Sequence, residues 1–99
     1  MMLRDSDIIA ATLCGCTIEQ IAIVPDQGIV FELDEPRSGR LVLSCAEATI
    51  APAILPAVFL TRPAWARKVD WADIAADGAL QLFLANGDHF ALRSSHMSF

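Results

Sequence analysis

Basic side chains are scarce in this chain: seven lysines and arginines stand against twelve aspartates and glutamates, for a net charge of −5. A polyanion repels such a surface, so direct nucleic-acid binding is not expected. The acids are spread along the chain, so mimicry of a nucleic acid would require the fold to gather them on one face. Glycine-rich phosphate loops are missing too: there is no G-x-G-x-x-G, no G-x-x-x-x-G-K-[ST] and no G-x-S-x-G. Turns and one helix end account for all five glycines. The longest uncharged stretch, residues 48–61, falls short of the roughly 20 residues of a spanning helix, and Pro52 and Pro56 interrupt it. Residues 1–7 lack the positive n-region of a secretory signal. An odd number of cysteines, Cys14, Cys16 and Cys45, argues for reduced, buried thiols instead of a disulfide framework. These absences predict a cytoplasmic single domain spanning residues 1–99, with no membrane association.

What is present in excess is apolar residues. They make up 55% of the chain, above the roughly 45–50% of an average domain. The surplus is expected to cover a partner, a second copy or a groove.

The chain also nearly repeats itself. Residues 17–33 lie over residues 68–84 without a gap, so that Ile18 falls on Val69, Ile23 on Ile74, Asp26 on Asp77 and Leu33 on Leu84. The units run over about 17–44 and 68–93. In each, apolar residues alternate at period two, which is the signature of half-buried strands. Keeping one apolar face across antiparallel neighbours requires odd-numbered loops. Pro25-Asp26-Gln27 then pairs Ile23 with Ile29, Pro36-Arg37-Ser38 pairs Leu33 with Leu41 and sets Asp34 opposite Arg40, and Ala76-Asp77-Gly78 pairs Ile74 with Leu80. Asn86-Gly87 suggests a two-residue hairpin, but the buried pattern requires Ala85-Asn86-Gly87 with Gly87 left-handed, placing Leu82 opposite Phe90.

Ahead of the first unit, Asp5 or Ser6 can cap a short helix running to about Cys14, with Gly15 past its end. Leu3, Ile8, Leu13 and the Ala10-Ala11 pair would form its packing face. Between the units, residues 45–67 lose the alternation and admit one or two helical turns, with Pro52 near their start. The expected fold class is α+β: a short N-terminal helix and two three-stranded antiparallel meanders forming one curved sheet or an open barrel, linked by a Pro-rich, partly helical segment.

Chemistry-bearing motifs are weak. Cys14-Gly15-Cys16 reads as two thiols buried at a helix end, because zinc needs four ligands at wider spacing and a disulfide across one residue is strained. His89 and His96 have no nucleophile with an orienting acid nearby, and Ser94, Ser95 and Ser98 fall in an expectedly frayed tail. Asp26, Asp77 and Asp88 suit turns. Neither a metal nor a cofactor is expected. Alternation places Phe83 on the face opposite Leu82, and puts Val69 and Trp71 beside it. That aromatic cluster is either covered by a helix or exposed as a binding patch. The candidate binding residues are Val69, Trp71, Phe83, His89 and Arg93, with Phe59 in the uncharged segment. The leading expectation is a non-catalytic protein-binding or regulatory module of bacterial or phage type, immunity- or inhibitor-like, with a protein partner, a homodimer or both. The alternative is a small barrel that binds or turns over a small molecule, with His89, Arg93 and Asp73 lining a pocket.

Overall fold

Apolar alternation decides where the strands fall, and the loops decide their register. The computed structural model describes residues 5–99. Helix α1 (Asp5–Leu13) leads into an antiparallel meander of β1 (Thr17–Val24), β2 (Gly28–Glu35) and β3 (Gly39–Ala46). A short β4 (Thr49–Ala51), a helical turn α2 (Pro56–Phe59) and a 3₁₀ turn (Ala64–Arg67) follow. The second meander is β5 (Val69–Ile74), β6 (Leu80–Leu84) and β7 (His89–Arg93), and β8 (His96–Ser98) comes last.

All four loops have the register that apolar alternation demands. Ile23 stands opposite Ile29, Leu33 opposite Leu41, Ile74 opposite Leu80 and Leu82 opposite Phe90. At the last hairpin the Gly87 N–H donates to the Leu84 carbonyl at 2.9 Å, with φ +95°. Asp34 does lie opposite Arg40, but the guanidinium pairs instead with Glu32, its diagonal neighbour.

The strands form two four-stranded sheets, β1-β2-β3-β8 and β4-β7-β6-β5, not one curved sheet, and the described strands close no barrel. A single six-stranded sheet would leave its apolar face to one nine-residue helix. Setting the two meanders face to face buries both apolar surfaces at once. Their inner side chains, among them Phe31, Leu43, Leu80, Leu82 and Leu92, belong to one continuous core.

Each meander hands its outer elements to the other sheet. β4 follows the first meander but pairs with β7, setting Ile50 opposite Leu92. β8 follows the second but pairs with β3, setting Met97 opposite Cys45. Likewise α1 packs against β5, while α2 and the 3₁₀ turn pack against β1. The sheets touch through backbone at an isolated bridge between Thr17 and Lys68. Beside it, Gly15 N–H donates to the Val69 carbonyl at 2.7 Å, and Val69 N–H to the Cys16 carbonyl at 2.8 Å.

Three local expectations change. The buried face of α1 is Ile9, Ala10 and Leu13, and Ile8 is 48% exposed; Ile9 and Leu13 are one turn apart, whereas Ile8 and Leu13 diverge around the helix. Leu3 lies outside the described residues. In the connection it is Pro56, not Pro52, that starts the helical turn. The C-terminal residues are not frayed: β8 pairs with β3, and the Ser94 hydroxyl donates to the Ala46 carbonyl at 2.6 Å. No described helix is long and apolar enough to cross a membrane.

Candidate functional site

The outer face of the second sheet is open to solvent and carries a row of three rings. Trp71 on β5 stands opposite Phe83 on β6, which stands opposite His89 on β7. Trp71 is 58% exposed. The Phe83 and His89 rings are stacked, with centroids 4.4 Å apart and planes 13° from parallel. The imidazole Nε2 lies 2.9 Å from Gln81 Oε1 in the neighbouring row, which holds the ring in place. Aromatic side chains on adjacent strands pair favourably across a sheet. Helix α1 packs against β5 and lies beside Trp71, which nonetheless stays largely in solvent.

A β-bulge explains why Val69 is not in this row. Register slips between Val69 and Trp71, so Asp70 is the extra residue. Plain alternation gives Val69 and Trp71 the same face; the bulge sends Val69 inward, where it is fully buried. The same slip occurs in β1 between Ile18 and Gln20. Phe59 is also absent from the surface. It is buried in the core, edge-on to Phe90 at 6.1 Å, with the Arg62 guanidinium 5.2 Å above its ring. Arg93 sits further along β7, beyond Ala91, and pairs with Asp77 of the β5–β6 turn. The structure therefore joins Trp71, Phe83 and His89, adds Gln81, sets Arg93 apart, and removes Val69 and Phe59.

Acids fringe the row. Asp70 and Asp73 are exposed and take part in none of the ion pairs among the described residues. The Asp77 carboxyl is held below the usual range by the Ala79 N–H, at 3.1 Å, and by Arg93. Asp88 is held low by hydrogen bonds from Arg62 and Asn86. None of the principal cavities is lined by His89; one of them is lined by Trp71 and Asp73 together with Asp7, Ala10 and Cys14 from the α1 side.

The cysteines sit apart from this face. Cys16 and Cys45 are buried, and loss of hydration pushes their thiols up to about 11 and about 12, with Glu35 and Asp34 adding to the rise at Cys16. Both are protonated and unreactive at neutral pH. Among the described residues, no three His, Cys, Asp or Glu side chains converge as metal ligands.

Arg67 escaped the sequence reading. Its guanidinium is largely buried and donates to the carbonyls of Ile18 and of Arg62, with Glu19 Oε2 at 3.6 Å. The Val69 carbonyl is satisfied by a Gly15 amide; Ile18, its equivalent 51 positions earlier, is satisfied by this side chain. Arg67 stands with Lys68 just before β5, but the carbonyl it serves lies in β1, and no local pattern in the sequence links the two. No protein-family model matches this chain, and neither a curated protein nor a solved structure shows significant similarity to it.

Proposed function

We propose that the protein is a non-catalytic binding or regulatory module that docks a protein partner on the Trp71–Phe83–His89 row. The observation that carries the reading is a solvent-facing aromatic ladder across three strands, with Trp71 58% exposed. Trp and other aromatics concentrate at interface centres because they bury much area at little cost in entropy. Covering the 58% of Trp71 now in water would remove roughly 100–150 Å², worth about 3 kcal/mol at about 25 cal/mol per Å². Asp70 and Asp73 at the fringe favour a partner with a basic rim around an apolar centre. The cavity beside Trp71 and Asp73 includes neither His89 nor Arg93, so the small-molecule alternative keeps only part of its expected lining. An immunity- or inhibitor-like role in a bacterial or phage cytoplasm fits this small acidic scaffold.

The test is capture of partners from lysate by the tagged wild-type chain and by a Trp71→Ala/Phe83→Ala double variant. A stoichiometric partner retained by wild type and lost by the variant supports the reading. Equal retention by both, or no stoichiometric partner under several conditions, refutes it.

A further inference from the structure

The second open surface lies on the opposite sheet. Eight large apolar side chains are strongly exposed among the described residues, and five of them (Ile23, Val24, Leu55, Val58 and Trp65) come from β1, the α2 region and the 3₁₀ turn. The α2 region and the 3₁₀ turn each pack against β1. Within this surface, residues 20–24 and 48–61 contain no ionisable side chain, and Arg62 borders Leu55 and Val58.

β1 is an edge strand. Val24 faces Gly28, Ala22 faces Val30 and Gln20 faces Glu32. The β2–β3 ladder uses the backbone groups of odd-numbered β2 residues, since Glu47 N–H donates to the Gln27 carbonyl and Ile29 faces Cys45. Even-numbered β2 residues therefore bond β1 at Val24, Ala22 and Gln20. The N–H and C=O of Ile21 and Ile23 point away from the sheet, and no described backbone group meets them. Edge strands are ordinarily protected by an inward charge, a proline or a bulge in their open length. Here the bulge and Glu19 lie at one end and Pro25 at the other, so residues 20–24 carry no charge, proline or bulge.

We infer that this surface binds a second copy of the chain, β1 to β1, antiparallel about a twofold axis at Ala22. In that register Ile21 of one copy lies opposite Ile23 of the other, so the outward donors and acceptors satisfy each other. Gln20 meets Val24, Ala22 meets Ala22, and Glu19 meets Pro25, so no like charges oppose. The two sheets β1-β2-β3-β8 become one eight-stranded sheet, and the contact is isologous and closed. Strand pairing alone falls short of the roughly 1,200 Å² that specific interfaces bury; Leu55, Val58 and Trp65 supply the remainder. The partner face around Trp71 stays free on the other sheet.

Sedimentation of the full chain at low micromolar concentration tests this. The expected mass is twice 10.7 kDa. Ile23→Lys introduces its charge twice per dimer and should raise the dissociation constant roughly 100-fold or more. Val58→Lys should weaken it as well, and Trp71→Ala should leave it unchanged. If Ile23→Lys fails to fold, hydrogen exchange of the wild-type chain decides: the Ile21 and Ile23 amides should lose protection on dilution. A monomer at 100-fold higher concentration, a dimer indifferent to both lysines, or Ile21 and Ile23 amides equally protected at all concentrations would overturn the proposal. A dimer broken by Trp71→Ala would overturn it too, by moving the contact to the other sheet.

Discussion

Replacing Gly28 with alanine should cost far more than the same change at Gly87, although both glycines have positive φ. Gly28 opens β2 with φ +137°, where a Cβ would lie 2.1 Å from the Cys45 carbonyl oxygen and 3.2 Å from the Ala46 Cα. All of these neighbours are backbone, so no side chain can swing aside; β3 itself would have to retreat by more than 1 Å, against ordinary contact at about 3.4–4 Å. Two costs combine: backbone strain of roughly 1–3 kcal/mol for a non-glycine residue in this region, and forced displacement of packed elements at about 1–3 kcal/mol. At Gly87, φ is +95° and no atom lies within 4 Å of the added Cβ, so only a strain of about 1–2 kcal/mol remains. A domain this size has roughly 5–15 kcal/mol in total. Gly28→Ala should thus remove a large share of stability, about 2–6 kcal/mol, while Gly87→Ala stays well folded. Urea unfolding followed by Trp fluorescence measures both, with equal m-values confirming that the native surface is unchanged. If the two variants lie within about 0.5 kcal/mol of each other, the argument from close backbone approach is refuted, because shared positive-φ strain would then explain everything.

Arg67→Ala should destabilise the fold by about 1–3 kcal/mol in the same assay, because it leaves the Ile18 carbonyl without its donor, and lysine should restore only part of this since it lacks the planar fork. Alkaline pH should weaken the protein: the Cys16 and Cys45 thiols are raised from 9.0 to about 11 and about 12, so the unfolded chain loses their protons first. That stability is complete below about pH 9 and declines as pH rises towards 11–12. Cys45→Ala should flatten the slope of unfolding free energy over that window, and an unchanged slope would count against buried-thiol control.

Loop lengths and apolar alternation were enough to set the register of every hairpin, because a one-residue slip at Leu82 or Leu33 would turn a strand inside out. What the alternation conceals is the bulge. Glu19 and Asp70 look like ordinary outward residues, and only the pairing with β2 and β6 shows that each is an insertion; Val69 was misplaced for that reason. β4 and β8 are three residues each and carry no period, so their pairing is decided by the tertiary fold. Phe59 could not be separated from Leu55 and Val58 in the sequence, since all three sit in one uncharged apolar run. The structure divides them, with Phe59 inside and the other two out in water. The Trp71–Phe83 pairing was legible because both belong to regular parts of neighbouring strands.

The crossing of the outer elements bears on how the chain tolerates being cut or pulled. β8 is the last element of the chain, yet it completes the first sheet, and α1 is the first described element, yet it buttresses β5. Trimming residues 96–99 would therefore injure the meander most distant in sequence and leave its own intact. A nick in residues 52–63 would sever the only covalent link between halves that remain clasped at both ends. Tension applied to the two ends of the chain would load each half through elements anchored in the other. Neither meander could be peeled away alone, and the molecule should give way as a single unit.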